Sequence, residues 1–317
     1  MFSLYDEGYR SRLERSMSRT KSLIVGASGQ VGTQMLGALG ERALATSRVA
    51  RDGWLQLDVA ELAEASQAAA LLDAHELDAI YCVGGMTWVD GCEKDPELAH
   101  RTNARGPGVL AEYARQRGVP YVFFSTDYVF DGAKEHPGPY AEDASVHPLS
   151  VYGSTKLAGE QRVLAAYPEA LVLRTTWVYG ADARRMNSLY SMMRSLAAGQ
   201  TMQVPVDQVS TPTYNRDLVN VTLGLVAAHA SGLFHVGGLE LMGRLEFVQR
   251  VARALGLDAR LLAGVTTAEL KQPAMRPLDS GLLIGKLAQQ YPQLRMRTLD
   301  QALEDCVAEL LEFLRGL

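Results

Sequence analysis

Cysteine and histidine are both scarce in this sequence. Its 317 residues include three cysteines and six histidines, and their positions show none of the short spacings that are typical of metal sites. An odd, small number of cysteines does not support a disulfide framework and is typical of a reducing compartment. We therefore predict no metal site, inert buried thiols at Cys82 and Cys92, and a cytoplasmic location.

Long apolar runs and an excess of positive charge are also missing. No apolar run approaches the roughly 18 residues that a membrane-spanning helix needs, and residues 1–20 lack the apolar stretch of a secretory signal. A formal net charge of −5 and a pI near 5.7 do not support a general electrostatic grip on nucleic acid or acidic membranes. We expect neither as a partner, and we interpret residues 1–20 as an N-terminal extension.

What the sequence does contain, between residues 21 and 175, is an alternation of short apolar runs with helical periodicity. The runs are Ser22–Val25, Ala43–Thr46, Leu55–Leu57, Ala79–Val83, Tyr121–Phe124 and Leu171–Leu173. Helical patterns lie between them, among them the long segment Pro96–Arg117. Strands that alternate with helices predict a parallel sheet covered on both faces, which is an α/β doubly wound fold of the Rossmann type. Ligands of such folds bind at the carboxyl ends of the strands.

The alternation of apolar runs and helical patterns ends after residue 175. Helical patterns at Met186–Ala198, Asp217–Ala230, Leu245–Leu255 and Leu299–Leu314 are separated by turn-rich stretches. We therefore predict a dinucleotide-binding domain over residues 21–175 and a smaller substrate-binding lobe over residues 176–317, interleaved with the first domain.

A glycine-rich turn follows the first apolar run directly. It reads Gly26-Ala27-Ser28-Gly29-Gln30-Val31-Gly32 and opens a helical pattern. Glycines at this spacing permit a tight turn and let backbone N–H groups approach a pyrophosphate at the positive end of the helix. A flexible strand-to-helix turn is the alternative, but the position supports cofactor binding by Gly26, Gly29, Gln30, Val31 and Gly32.

The end of the second predicted strand carries Ser47-Arg48. An acidic residue at this place would bind a free ribose 2′-hydroxyl, whereas an arginine accommodates a 2′-phosphate. NADP(H) is therefore favoured, with NAD(H) as the alternative cofactor and a solvated loop arginine as the alternative role of Arg48. Asp58 and Val59 follow the third strand, where such folds place residues against the adenine.

A Tyr-x-x-x-Lys pattern, formed by Tyr152 and Lys156, begins a predicted helix. Residues four apart share a helical face, so the ammonium can favour the phenolate and lower the pKa of a tyrosine that would otherwise titrate near 10. Ser125-Thr126 ends the Tyr121–Phe124 run and supplies hydroxyls at the same sheet edge. The pattern predicts proton transfer to or from a carbonyl oxygen.

At these residues the chain resembles the dTDP-4-dehydrorhamnose reductase family, part of the extended short-chain dehydrogenases. The resemblance is carried by the segments 124–132 (FSTDYVFDG), 152–160 (YGSTKLAGE), 173–180 (LRTTWVYG), 87–90 (TWVD), 103–104 (NA), 208–213 (QVSTPT) and 276–277 (RP). It extends from about Ser22 to Leu311.

The resemblance implies NADPH-dependent reduction of the C4 ketone of a nucleotide-linked 6-deoxy-hexulose, as in dTDP-rhamnose biosynthesis, with self-association into a homodimer as a further expectation. The residues that it marks form three groups. The catalytic group is Thr126, Tyr152 and Lys156; the backbone that lines the cofactor is Gly84, Gly85 and Met86; the substrate residues are Thr87, Asp90, Asp127, Tyr128, Trp177 and Arg276.

Three of these substrate residues have structural alternatives. Trp177 could belong to the core, Asp90 could be a helix N-cap, and Arg276 could pair with a carboxylate rather than bind a diphosphate. Departures from the family pattern at Asp279 and Gly281 leave the sugar and the nucleotide open.

Three functions fit the resemblance. The first is the reductase, and Tyr128 favours it over dehydration, because similar dehydratases carry a glutamate at that position. The second is a non-catalytic, NADP-binding regulatory subunit that resembles the beta subunit of methionine adenosyltransferase. The third is an epimerase or a reductase of another sugar nucleotide.

Overall fold

The computed structural model describes residues 20–133, 135 and 137–316, so the predicted N-terminal extension, apart from Thr20, lies outside the described residues. The strands β1 to β13 are Lys21–Val25, Ala43–Ser47, Leu55–Gln56, Leu77–Cys82, Tyr121–Thr126, Leu171–Thr175, Val178–Tyr179, Met202–Pro205, Val209–Ser210, Thr213–Tyr214, Gly232–His235, Met242–Gly243 and Leu262–Val265. The helices α1 to α11 are Gln30–Leu39, Ala65–Leu72, Val89–Lys94, Pro96–His100, Gly106–Arg117, Val151–Ala166, Ser188–Ala197, Asn215–Ala227, Arg244–Ala254, Gly285–Gln290 and Leu299–Arg315.

Seven of these strands form one sheet in the order β11-β6-β5-β4-β1-β2-β3, and every neighbouring pair is parallel. The predicted doubly wound α/β fold is therefore confirmed. The order reverses between β1 and β4, where Val25 pairs with Cys82. In such a sheet the crevice beyond the carboxyl ends of these two strands is the ligand site.

The apolar runs of the sequence are continuous because helices cover both faces of the sheet. All six residues of β5 are buried. On one face Leu72 and Leu110 pack with Leu23, and on the other Met35 and Leu218 pack with Ile24. A strand buried on both faces gains by apolar side chains at every position.

The long helical segment predicted over Pro96–Arg117 is interrupted once. A π-helical turn at Arg101–Arg105 separates α4 from α5. Such turns often mark functional sites, because they redirect side chains within a helix. This turn carries Asn103, which is fully buried.

The second part of the chain both completes the sheet and builds a lobe of its own. The strand β11 pairs with β6 at one edge of the sheet, although it lies after residue 175. The lobe has a separate core in which α7, α9 and α11 contribute Met193, Val251 and Leu310. The division into two domains stays a prediction, and the shared sheet shows how closely the two parts interlock.

None of the described helices combines the length and hydropathy that crossing a membrane requires.

Candidate active site

The glycine turn after β1 is shaped by close backbone packing. Gly26 has a φ of +89°, and a Cβ there would lie 2.4 Å from Cα of Gly84. A Cβ on Gly32 would lie 2.3 Å from the carbonyl oxygen of Gly26. Both positions therefore exclude any side chain, since contacts this short would force the turn and α1 away from the sheet.

Gly29 is less crowded than the other two glycines and lies near an arginine of the second lobe. A Cβ there would lie 3.3 Å from the carbonyl oxygen of Gly26 and 4.0 Å from Nη2 of Arg184. Gly29 is the N-cap of α1 without a side-chain cap, and Nε2 of Gln30 is buried without a hydrogen-bond partner. Free donors at a helix N-terminus form an anion site, so this turn fits a dinucleotide diphosphate.

Ser47 and Arg48 lie at the end of β2, as predicted. The Arg48 side chain is exposed, while its carbonyl oxygen accepts a hydrogen bond from Nε2 of Gln56 at 3.2 Å. The nearby Arg51 differs, because its guanidinium stacks on Trp54, 4.5 Å from the ring centroid. Arg48 is thus anchored through its backbone, its side chain is exposed, and its contact with a 2′-phosphate stays a prediction.

Asp58 and Val59 start a 3-10 turn beyond β3. The Asp58 carboxylate accepts from the backbone N–H of Ala60 at 3.0 Å, so it serves as an N-cap, and Val59 is buried. Their predicted position against an adenine stays a prediction.

Tyr152 and Lys156 lie one turn apart near the start of α6, whose N-cap is Ser150. Both are buried, at 9% and 4% exposure. The Lys156 ammonium donates to the carbonyl oxygen of Phe124 and lies 3.8 Å from where a Cβ on Gly85 would stand. Burial lowers the pKa of Lys156 to about 8, because a low-dielectric setting disfavours the charged form.

Burial dominates the titration of Tyr152. It raises the pKa of the phenol well above its usual value, and a hydrogen bond with Thr126 offsets only part of that rise. The lowered pKa that the sequence pattern predicts for Tyr152 is not found, because desolvation raises this pKa. The ring of Tyr128 meets that of Tyr152 edge to face, with centroids 5.4 Å apart. Tyr152 is therefore a neutral phenol that holds a proton at neutral pH.

The Asp127 carboxylate is buried in a network of hydroxyls. It accepts hydrogen bonds from Ser280 at 2.6 Å, Thr176 at 2.8 Å and Thr126 at 3.1 Å. Burial raises its pKa to about 6, although these hydrogen bonds pull the other way. Asp127 thereby ties the ends of β5 and β6 to a loop of the second lobe, and its predicted role beside the sugar stays a prediction.

Asp90 and Arg276, for each of which the sequence leaves two roles open, bind each other. The guanidinium forms two hydrogen bonds with the carboxylate, at 2.8 and 2.9 Å, and Arg276 holds the pKa of Asp90 below its usual value. The N-cap of α3 is Trp88 and not Asp90, so the N-cap alternative is wrong. The carboxylate alternative for Arg276 is what the structure shows, and diphosphate binding stays a prediction.

Trp177 has a φ of +35°, an uncommon conformation for a bulky residue that often occurs at functional sites. The guanidinium of Arg244 stacks on its indole, 4.6 Å from the ring centroid, and the Phe247 ring lies 6.4 Å away. Trp177 is therefore half-buried between the lobe core and the crevice.

The predicted substrate residue Thr87 lies beyond the end of β4, and it is exposed.

Comparison with known proteins agrees with this geometry. The family profile described as RmlD substrate binding domain matches residues 20–312. A dTDP-4-dehydrorhamnose reductase of Mycobacterium tuberculosis is 35% identical over 266 residues, covering 82% of this chain and 84% of that protein. A probable low-salt glycan biosynthesis reductase of Haloferax volcanii, Agl14, is 33% identical over 297 residues, covering 90% of this chain and 98% of that protein.

The chain belongs to the dTDP-4-dehydrorhamnose reductase family. Among solved structures, the Bacillus anthracis dTDP-4-dehydrorhamnose reductase in complex with NADP has a TM-score of 0.82 at 27% identity, covering 92% of this chain and 99% of that one. The Clostridium acetobutylicum enzyme has a TM-score of 0.81 at 30% identity, with the same coverage. At the level of the family, the predicted NADP(H)-dependent oxidoreductase is confirmed.

Two further residues, Asn103 and Arg244, contact residues of this site, although the sequence patterns assign them no role. Asn103 exchanges hydrogen bonds with the backbone of Met86, at 2.8 and 3.1 Å, and donates to Oγ1 of Thr155 at 3.1 Å. It thus joins the segment after β4, which is predicted to line the cofactor, to α6. The Asn103-Ala104 family match was its only sequence signal.

Arg244 is the second of these residues. It begins α9 in the second lobe, and its charge lowers the pKa of Tyr128, as does that of Arg276, although burial raises that pKa to about 12 overall. No local pattern distinguishes Arg244 from other helix-start arginines, because its neighbours in space come from distant segments.

Within the part of the chain that the structure describes, no group of three or more His, Cys, Asp or Glu side chains is placed to hold a metal ion.

Proposed function

We propose that this chain reduces the 4-keto group of a nucleotide-linked deoxy-sugar with NADPH, as a dTDP-4-dehydrorhamnose reductase does. The observation that carries the proposal is the position of Tyr152: a buried phenol that holds its proton, beside Thr126 and one helical turn from Lys156. These three residues lie at the sheet edge where the glycine turn also ends.

The bound dinucleotide would supply the hydride. Tyr152 donates its proton to the carbonyl oxygen, while Thr126 holds that oxygen and the phenol in one line. Lys156, which can carry its positive charge below about pH 8, stabilises the phenolate that remains after the transfer. Proton transfer by a positioned side chain contributes on the order of 10²–10⁴-fold in rate.

The substrate would lie between this catalytic group and the second lobe. Tyr128, Trp177 and Arg244 line that side, and the charges of Arg244 and Arg276 both reach Tyr128. A buried cation suits a diphosphate, and an aromatic face suits a sugar or base. A nucleotide-linked sugar offers both groups. The named activities of the relatives support this substrate class.

Replacement of Tyr152 by phenylalanine tests the proposal. The wild-type chain should consume NADPH with dTDP-4-keto-6-deoxy-sugars, followed by the absorbance of the reduced cofactor. Tyr152→Phe should lower turnover by about 10²–10⁴-fold while NADPH binding is retained. Near-normal turnover in the variant would refute the role of Tyr152.

The same assay separates the alternatives. A wild-type chain that binds NADPH, reduces no member of a keto-sugar panel and captures a stoichiometric partner enzyme would be a regulatory subunit. The stereochemistry of any product would distinguish a reductase of another sugar from an epimerase. A homodimer and a cytoplasmic location stay predictions.

A further inference from the structure

The loop of residues 181–187 connects β7 to α7 and brings an arginine from the second lobe to the glycine turn. Nη2 of Arg184 lies 4.0 Å from where a Cβ on Gly29 would stand. The middle glycine of this pattern is small so that the pyrophosphate can approach the backbone. The guanidinium of Arg184 therefore stands on the side of Gly29 from which the diphosphate of a dinucleotide comes.

The backbone of this loop is held from both lobes. The carbonyl oxygen of Ala181 accepts from Nδ2 of Asn215 at 2.7 Å and from Nε2 of Gln34 in α1 at 3.4 Å. Asp182, 3% exposed, accepts from the backbone N–H groups of Arg184 and Met186 at 3.1 and 3.2 Å. These contacts use backbone atoms at position 184, so its side chain is not needed for the loop conformation.

The Arg184 side chain itself is weakly engaged. It is 51% exposed, and its Nε lies 3.8 Å from Oδ1 of Asp182, which is too long for a hydrogen bond. The guanidinium retains donors that a phosphate could use in pairs. The next residue points elsewhere, because the guanidinium of Arg185 lies 5.4 Å from the ring centroid of Phe313.

We propose that Arg184 binds the diphosphate of the nicotinamide dinucleotide from the second lobe, opposite the backbone N–H groups of the glycine turn. The cofactor then contacts residues of both lobes. This inference rests on the proposed use of a dinucleotide by this chain.

Arg184→Ala and Arg185→Ala form a matched pair, since each removes one positive charge from adjacent positions of the same loop. Titration calorimetry would measure the Kd of the wild type and both variants for NADPH, NADH and adenosine 2′-monophosphate. Arg184→Ala should weaken NADPH and NADH alike by about tenfold, the loss expected for a charge-assisted hydrogen bond. It should leave adenosine 2′-monophosphate unchanged, because that ligand has no diphosphate. Arg185→Ala should stay within about twofold of the wild type for all three ligands.

Thermal unfolding of each variant would confirm that the substitution leaves the fold intact. Equal dinucleotide affinities in the two variants would overturn the proposal, and so would a loss confined to NADPH, which would place the guanidinium at the 2′-phosphate. Failure of the wild type to bind either dinucleotide would instead remove the cofactor assignment itself.

Discussion

Glu160 and Arg174 form a buried ion pair in which each charge should depend strongly on the other for stability. The two side chains are 6% and 5% exposed. Nε and Nη2 of Arg174 donate to the two carboxylate oxygens at 2.9 and 2.7 Å, and Oγ of Ser125 donates to the same carboxylate at 2.5 Å. Ser125 directly precedes Thr126, so this pair also supports the end of β5 that carries the proposed catalytic threonine.

Glu160→Met leaves the guanidinium buried without its counter-charge. Breaking a buried pair from one side costs about 3–5 kcal/mol, whereas replacing both partners by apolar residues of similar volume is often close to neutral. The double variant Glu160→Met/Arg174→Met should therefore recover at least half of the stability lost by the single variant. A loss of about 3–5 kcal/mol in the single variant lowers the thermal midpoint of a chain of this size by roughly 4–8 °C.

Urea unfolding of the wild type, both single variants and the double variant, followed by circular dichroism, measures the coupling. Asp258→Asn is the control, since its partner Arg260 is 91% exposed and an exposed pair contributes little. A double variant as unstable as the sum of the two single variants would refute the reasoning, because the pair would then have no mutual dependence.

Three further predictions follow from the site. Asp127→Asn should remove a pH dependence of stability. The pKa of Asp127 in the folded state is raised to about 6, so the folded state holds the proton more tightly than the unfolded state and loses stability as pH rises from about 4 to 6. Urea unfolding measured across this range would contradict the prediction if the free energy of unfolding changed with pH equally in the wild type and the variant. Arg48→Ala should raise the Kd for NADPH by about tenfold or more and leave that for NADH nearly unchanged, and an equal loss for both would show that Arg48 does not contact the 2′-phosphate. Turnover, measured against pH, should decline above about pH 8 as Lys156 loses its charge, and a flat profile to pH 10 would remove the need for its ammonium.

Most of the sheet could be predicted because its signals are local. The runs at Ser22–Val25, Tyr121–Phe124 and Leu171–Leu173 are strands in the structure, each within two residues of its predicted ends, and the largest differences are at the ends of β5 and β6. Those ends extend to Thr126 and Thr175, because parallel pairing continues past the apolar residues.

The interruption of the Pro96–Arg117 helix could not be predicted from periodicity. A π-helical turn adds one residue to a single turn of an otherwise continuous helical pattern, and it carries Asn103, which contacts Met86 and Thr155. Those contacts join three segments whose proximity follows from the sheet order.

By itself, the amino-acid sequence determined the α/β architecture, the glycine turn and the Tyr152–Lys156 pair, because each depends on residues a few positions apart whose geometry follows from backbone sterics and helical periodicity. Only the tertiary structure decided that Asp90 binds Arg276, that Ser280 reaches Asp127, and that Arg184 stands over Gly29. These partners lie far apart in the chain, and which distant charges meet is set by how the two lobes close on one sheet edge.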